Sequence, residues 1–230
     1  MTWHDSPRPA VGAGIDGAPA AAWRQTRRAA RRAARPYRKP VQQHNREAFA
    51  AVARWLADSS RPLAFDSGCG TGQSTLALGA AHPTWRLVGI DKSAVRLARY
   101  GANHRPAVYG NVMLVRADLV DFWRLAATAG WRLAAHWLLY PNPWPKPSQA
   151  KRRWAEHPVW PALLALGGQL ELRCDRFEYA QEMAWALRLA GPYEIRIDLW
   201  QPPVPISPFE GKYLHQQRRL YRLVAALAGC

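Results

Sequence analysis

Short apolar runs of strand length alternate with helical periods along most of this chain, and that alternation constrains the fold more than any other feature. "PLAFDSG" (62–68), "WRLVGID" (85–91), "NVMLVRAD" (111–118), "HWLLY" (136–140) and "GQLELRCD" (168–175) each read as a buried strand. Helical segments are predicted from Asn45 to Asp58, near 72–81, from a Ser93 cap through Tyr100, after Asp118, near 156–166 and over 176–191. Strands that are apolar throughout need cover on both faces, and strand–helix–strand units give parallel pairing. The expected fold is therefore α/β and Rossmann-like, a mostly parallel seven-stranded sheet with helices on both faces. "YEIRIDLW" (193–200) and "RRLYRLVAAL" (218–227) would close it as an antiparallel hairpin, although the second segment reads equally well as a helix.

The first strand runs into "FDSGCGTG", which opens a helix. Gly68, Gly70 and Gly72 permit a tight turn and close backbone approach to a ligand, while helix N–H groups face an anion. Gln73 stands where a dinucleotide fingerprint wants its third glycine, and no Lys-Ser/Thr pair follows as in a Walker A loop. D-x-G-x-G-x-G instead resembles the first motif of class I methyltransferases that use S-adenosylmethionine. Asp91 ends the second strand, placed to accept from ribose hydroxyls, and Asp118 ends the third, near where an adenine would lie. The competing reading makes both of them helix-capping acids.

The fourth strand stops at "YPNPWPKPSQAKRRW" (140–154). Proline fixes its own φ and restricts the residue before it, so Pro141, Pro143 and Pro145 predict a stiff loop around Asn142 and Trp144. In an open α/β sheet ligands bind beyond the carboxyl ends of the strands, which puts this loop beside the reacting group. Lys146, Lys151, Arg152 and Arg153 follow as candidate phosphate contacts, with Trp144 either stacking on a base or serving only as a lid over the sheet edge.

Charge points to the partner. The chain of 230 residues carries a formal +16, with Arg24, Arg27, Arg28, Arg31, Arg32 and Arg35 spaced to form one stripe on a helix. Such a field favours a polyanion. Residues 1–40 read as a disordered or helical arginine-rich arm, and 41–230 as the catalytic domain. A solvated tail and an organelle-targeting peptide are the alternatives for the arm. Three cysteines without a CxxC pair, and no signal peptide, predict a cytoplasmic protein. No apolar run approaches a membrane span, and no histidine spacing suggests a metal site. Nothing in the sequence sets the oligomeric state; a monomer is the working expectation.

"YPNPWPKPSQAKRR" resembles the P-D-P-W-x-K-x-R-H-x-K-R-R signature of the bacterial tRNA (guanine-N7-)-methyltransferases. "LRCDRFEYAQEM" is similar to that family's T-D-x-x-x-Y stretch at Asp175 and Tyr179, and "ISPFEGKY" to its T-x-F-E segment at Ser207, Phe209 and Glu210. The likeness spans about residues 45–224. It implies a class I methyltransferase fold, S-adenosylmethionine held by Asp66, Asp91 and Asp118, and tRNA contacted by Lys146, Asp175 and the Ser207–Glu210 segment. It also implies methyl transfer to guanine N7, usually at position 46 of the variable loop.

Four positions depart from the family pattern. Asn142 stands where the family has its catalytic aspartate, Cys174 replaces its threonine, and Ser148 and Gln149 replace its Arg-His pair. Guanine N7 carries a free lone pair, so transfer needs no general base, but the methylated ring is cationic and a carboxylate nearby would stabilise it. Asn-Pro-Trp-Pro is also similar to the N-P-P-Y loop of enzymes that methylate amino nitrogens. A paralogue acting on another nitrogen or a small molecule, and a non-catalytic RNA-binding protein, are therefore the alternative readings.

Overall fold

A computed structural model describes residues 37–227. The arginine stripe at 24–35 lies outside the described residues, as does nearly all of the arm.

Eight strands form one sheet: β1 (Leu63–Ser67), β2 (Arg86–Asp91), β3 (Ala107–Tyr109), β4 (Val112–Arg116), β5 (Ala135–Leu139), β6 (Gly168–Cys174), β7 (Ile195–Trp200) and β8 (Leu220–Leu227). Their order is β3-β4-β2-β1-β5-β6-β8-β7. β4, β2, β1, β5 and β6 pair in parallel, and β3, β8 and β7 are antiparallel to their neighbours. The order reverses between β1 and β5, so the crevice beyond that junction is where a ligand belongs. The helices are α1 (Gln43–Leu56), α2 (Gln73–Ala81), α3 (Ala94–Leu97), α4 (Leu119–Thr128), α5 (Trp160–Leu166), α6 (Phe177–Ala190) and α7 (Pro208–His215).

Both sheet faces are buried, which is why the strands read as unbroken apolar runs. Alternation along each strand sorts the side chains. Phe65, Met113, Leu138 and Leu170 face a core with α1, α4, α5 and α6, while Ala64, Leu114, Trp137 and Leu139 face one with α2 and α3.

Two elements exceed the sequence expectation. β3 is an eighth strand of three residues at the edge, too short to leave a periodic signal. The last two strands do pair antiparallel, but α7 lies in their connection. Its start is encoded: Ser207 caps, Pro208 takes the first turn, and Ser207 Oγ accepts from the Glu210 N–H at 3.2 Å. "RRLYRLVAAL" supplies strand β8, not a helix.

Candidate active site

The glycine loop turns sharply after β1. Gly72 has φ +90, and a Cβ there would lie 2.5 Å from Leu114 Cδ1, so only glycine lets α2 pack this close to β4. Asp66, at the end of β1, is 1% exposed and accepts through Oδ2 from Ser74 Oγ (2.6 Å) and Thr75 Oγ1 (2.8 Å) of α2. Burial pushes its carboxyl up to about 6 against the help of those hydroxyls. Its Oδ1 is buried with no hydrogen-bond partner, and Thr71 Oγ1 in the same loop is in the same condition. A buried polar atom without a partner is costly unless a ligand satisfies it.

Those two atoms suit the methionine end of S-adenosylmethionine, an acceptor for its ammonium and a hydroxyl for its carboxylate. The loop leaves room for it: a Cβ on Gly70 would meet nothing within 4 Å. Asp91 is 5% exposed, with Oδ2 on the Gly70 N–H (3.0 Å) and Oδ1 on the Ser93 N–H (2.8 Å). Asp118 caps α4 by accepting from the Val120 N–H at 2.9 Å. It also lines a cleft of about 440 Å³ beyond the ends of β2 and β4, together with Lys92, Ala117, Lys39, Asn45 and His157.

One wall of that cleft was not legible in the sequence. Asn45 on α1 is fully buried; its Oδ1 accepts from the Asp118 N–H (3.0 Å) and its Nδ2 donates to Asp121 Oδ2 (2.7 Å). Gln42 N–H donates to the same oxygen at 3.0 Å, and Arg124 donates to the Lys39 carbonyl at 2.9 Å. These bonds strap residues 37–45 across the end of α4.

On the other side of the junction β5 ends in the proline loop. Asn142 is exposed, and its Oδ1 accepts from the Trp144 N–H at 3.1 Å. Lys146 and Lys151 are exposed, and Arg152 lies over the Trp144 ring at 4.6 Å. Arg153 points inward. Its Nε and Nη2 donate to the Trp144 carbonyl (3.1 and 3.0 Å) and its Nη1 to Glu182 (2.8 Å).

Glu210 also turns inward. It is fully buried, and Oε1 accepts from Tyr140 Oη (2.7 Å), Arg173 Nη1 (3.1 Å) and Trp200 Nε1 (3.0 Å), while Oε2 accepts from the Ile206 N–H (2.8 Å). Burial would raise its pKa, yet these donors hold it below the usual carboxylate value. Burial, followed by Glu210, raises the Tyr140 phenol, which therefore stays a donor. Arg173 also bonds Glu171 at 2.6 Å and lies over Trp200 at 4.3 Å.

Asp175, after β6, accepts from Arg218 at 2.6 Å, and Arg218 lies over Tyr213. Tyr213 meets Tyr140 at 5.6 Å and the 40% exposed Phe209 at 6.2 Å. The Asp175 and Ser207–Glu210 segments thus converge on the proline loop. Thr71, Tyr140 and Arg173 lie inside the motif segments, but no spacing or motif position singles them out. Among the described residues no three His, Cys, Asp or Glu side chains gather as a metal site, and no helix is long and apolar enough to cross a membrane.

Solved structures share this fold. An antibiotic-related methyltransferase superposes with TM-score 0.52 at 12% identity, covering 83% of this chain and 97% of its own. The 16S rRNA (adenine(1408)-N(1))-methyltransferase of Catenulisporales acidiphilia, as its D21A mutant, gives 0.52 at 20%, covering 78% and 93%. In sequence, the tRNA (guanine-N(7)-)-methyltransferase of Acidithiobacillus ferrooxidans is 32% identical over 143 residues, 60% of this chain and 62% of that protein. The same enzyme of Leifsonia xyli is 31% identical over 131 residues, 56% and 57%. The chain thus spans about three fifths of the length of these relatives. Residues 60–223, from just before β1 into β8, match the model of the family described as "Putative methyltransferase" (Methyltransf_4), and the chain belongs to that family of class I methyltransferases.

Proposed function

We propose that this protein transfers a methyl group from S-adenosylmethionine to guanine N7 of tRNA, with position 46 of the variable loop as the target. The observation that carries the reading is the distribution of charge beyond the strand ends. Lys92 follows β2, Arg116 ends β4, Lys146, Lys151 and Arg152 follow β5, and Arg176 follows β6; all are exposed. The carboxylates on the same side, Asp66, Asp91, Asp118, Asp175 and Glu210, each accept from an internal donor. A cofactor cradle inside a rim of unopposed cations suits a reaction on a phosphate polymer. The names of the relatives select tRNA and guanine N7 within that class.

The cofactor, when bound, supplies a methyl group on a sulfonium, and transfer breaks its C–S bond as the nucleophile's lone pair forms the new one. Asp66 Oδ1 and Thr71 Oγ1 would hold its amino-acid end, and Asp91 would accept from its ribose. Asn142 orients the base. With Oδ1 committed to Trp144, its Nδ2 is left as a donor. Guanine presents two adjacent acceptors, O6 and N7, on one edge. An Nδ2 bond to O6 leaves N7 free beside it and aimed at the methyl group.

The test is transfer of labelled methyl to unmodified tRNA, with the product nucleoside identified by mass and by N7-specific chain cleavage. Label in 7-methylguanosine is expected. Label in an exocyclic amine would replace guanine N7 by the amino-nitrogen reading, and no label with cofactor binding intact would remove tRNA as the substrate.

A further inference from the structure

Two residues of the proline loop occupy the left-handed region without being glycine: Tyr140 at φ 54 and Trp144 at φ 44. Such residues persist only where the surroundings over-determine them, and they concentrate at functional sites. Here each is gripped separately. At the entry, the Tyr140 N–H donates to the Arg173 carbonyl (2.8 Å) and its hydroxyl to Glu210 (2.7 Å), 70 residues away in sequence. At the exit, the Trp144 N–H is held by Asn142 and its carbonyl takes two bonds from Arg153, whose third goes to Glu182. Glu210 is itself fixed by Arg173, Trp200 and the start of α7.

We propose that Tyr140, Glu210 and Arg153 are positioning residues, forming two clamps that set the 141–146 loop in its transfer geometry, and that neither Glu210 nor Arg153 contacts the nucleic acid. The inference rests on the proposed function for the reaction it serves, but its geometric content is independent of the substrate. A fully buried carboxylate with four donors has nothing left to offer an RNA hydroxyl. An arginine with three N–H groups engaged inside the protein is a poor phosphate ligand, although Lys151 and Arg152 beside it are exposed. Positioning of this kind is worth much where catalysis depends on orientation, since a shift of about 1 Å can cost about 10²-fold in rate.

The experiment uses the full chain with Tyr140→Phe, Arg153→Lys and Lys151→Ala. Tyr140→Phe removes the one hydroxyl through which Glu210 reaches the loop. Lys keeps the charge of Arg153 but lacks the planar fork that serves the carbonyl and Glu182 together. Hydrogen exchange is followed in the peptide spanning 138–146, where the prolines carry no N–H and Tyr140 and Trp144 supply bonded amides. Rates of methyl transfer and affinities for tRNA and S-adenosylmethionine are measured in parallel.

Both clamp variants are expected to exchange the loop about tenfold faster and to lose roughly 10- to 100-fold in kcat, with both affinities kept within about threefold. Lys151→Ala is expected to weaken tRNA binding without altering loop exchange. Unchanged loop exchange in both clamp variants would overturn the proposal, as would tRNA affinity lost in Arg153→Lys with the loop still protected. If wild-type protein transfers no methyl to tRNA, the functional reading fails, and the exchange arm still decides the clamps.

Discussion

Asp91 Oδ2 accepts the Gly70 N–H at 3.0 Å, tying the end of β2 to the middle of the glycine loop. Its other oxygen holds the Ser93 N–H, so one carboxylate both shapes the loop and fixes the start of α3. Asp91→Ala strands two backbone donors and removes the proposed ribose acceptor. A loss of roughly 1–3 kcal/mol in stability is expected, together with loss of S-adenosylmethionine binding. Thermal unfolding and calorimetric titration measure the two effects. Cofactor binding that survives in Asp91→Ala would remove this residue from the cofactor site.

If Asp66 holds the cofactor's ammonium as proposed, cofactor affinity is expected to depend on pH. Its carboxyl is raised to about 6 by burial, and the cofactor's ammonium, favouring the anion, must lower it on binding. Protons therefore compete with the cofactor below about pH 6. Affinity is expected to be full at neutral pH and to fall by up to about tenfold per pH unit as the pH drops below that value. Without cofactor the sign reverses. A folded-state pKa above the unfolded value means that the folded chain takes up the proton first. Stability from this group is then gained between about pH 6 and pH 4, at no more than ~1.4 kcal/mol per unit. Comparing wild type with Asp66→Asn isolates both effects, and parallel pH profiles would remove Asp66 from the ammonium site.

Asn142→Asp sets two effects against each other. A carboxylate keeps an acceptor for the Trp144 N–H and places negative charge beside the methylated, cationic guanine. Electrostatic stabilisation of this kind is worth about 10²–10³ in rate. The change also removes the proposed donor for guanine O6, an interaction worth about 1–3 kcal/mol, or roughly tenfold or more in rate. The charge is expected to win, with single-turnover transfer to guanine N7 rising about tenfold. A fall in rate would show that the donor to O6 matters more than the charge.

The sheet was legible because it is buried on both faces. Runs such as "NVMLVRAD" have no polar face to confuse the reading, and β1, β2, β4, β5 and β6 lie where they were expected. The proline loop and the glycine loop announced themselves through residues with restricted or unusual backbone freedom. Direction was harder to read. Arg153 stands among cations and Glu210 in a segment that resembles a substrate motif, yet both side chains turn inward, because their partners come from Trp144, Glu182, Tyr140 and Arg173. Partners brought together by pairing of β5 with β6 and of β6 with β8 leave no mark at any fixed sequence spacing. Asn45 was silent for the same reason: one polar residue in a helical period carries no signal until its acceptor and donors on α4 are known.

The arginine-rich segment offers a separate test of the nucleic-acid reading. Six arginines between Arg24 and Arg35 precede the strap at 37–45, which is bonded to α4 beside the cleft. Cations there would add phosphate contacts without base specificity, each one steepening the dependence of log K on log salt by about 0.7–0.9. Deleting residues 1–36 keeps the strap and its bonds to Asp121 and Arg124. Affinity for tRNA is then expected to fall mainly at low salt, with the slope reduced by about two to four units. The cofactor affinity of the shortened chain should match that of the full chain. A titration across salt concentrations decides it: an unchanged slope would mean that the arm does not touch the phosphate backbone, and that the cations beyond the strand ends carry the electrostatic part of binding alone.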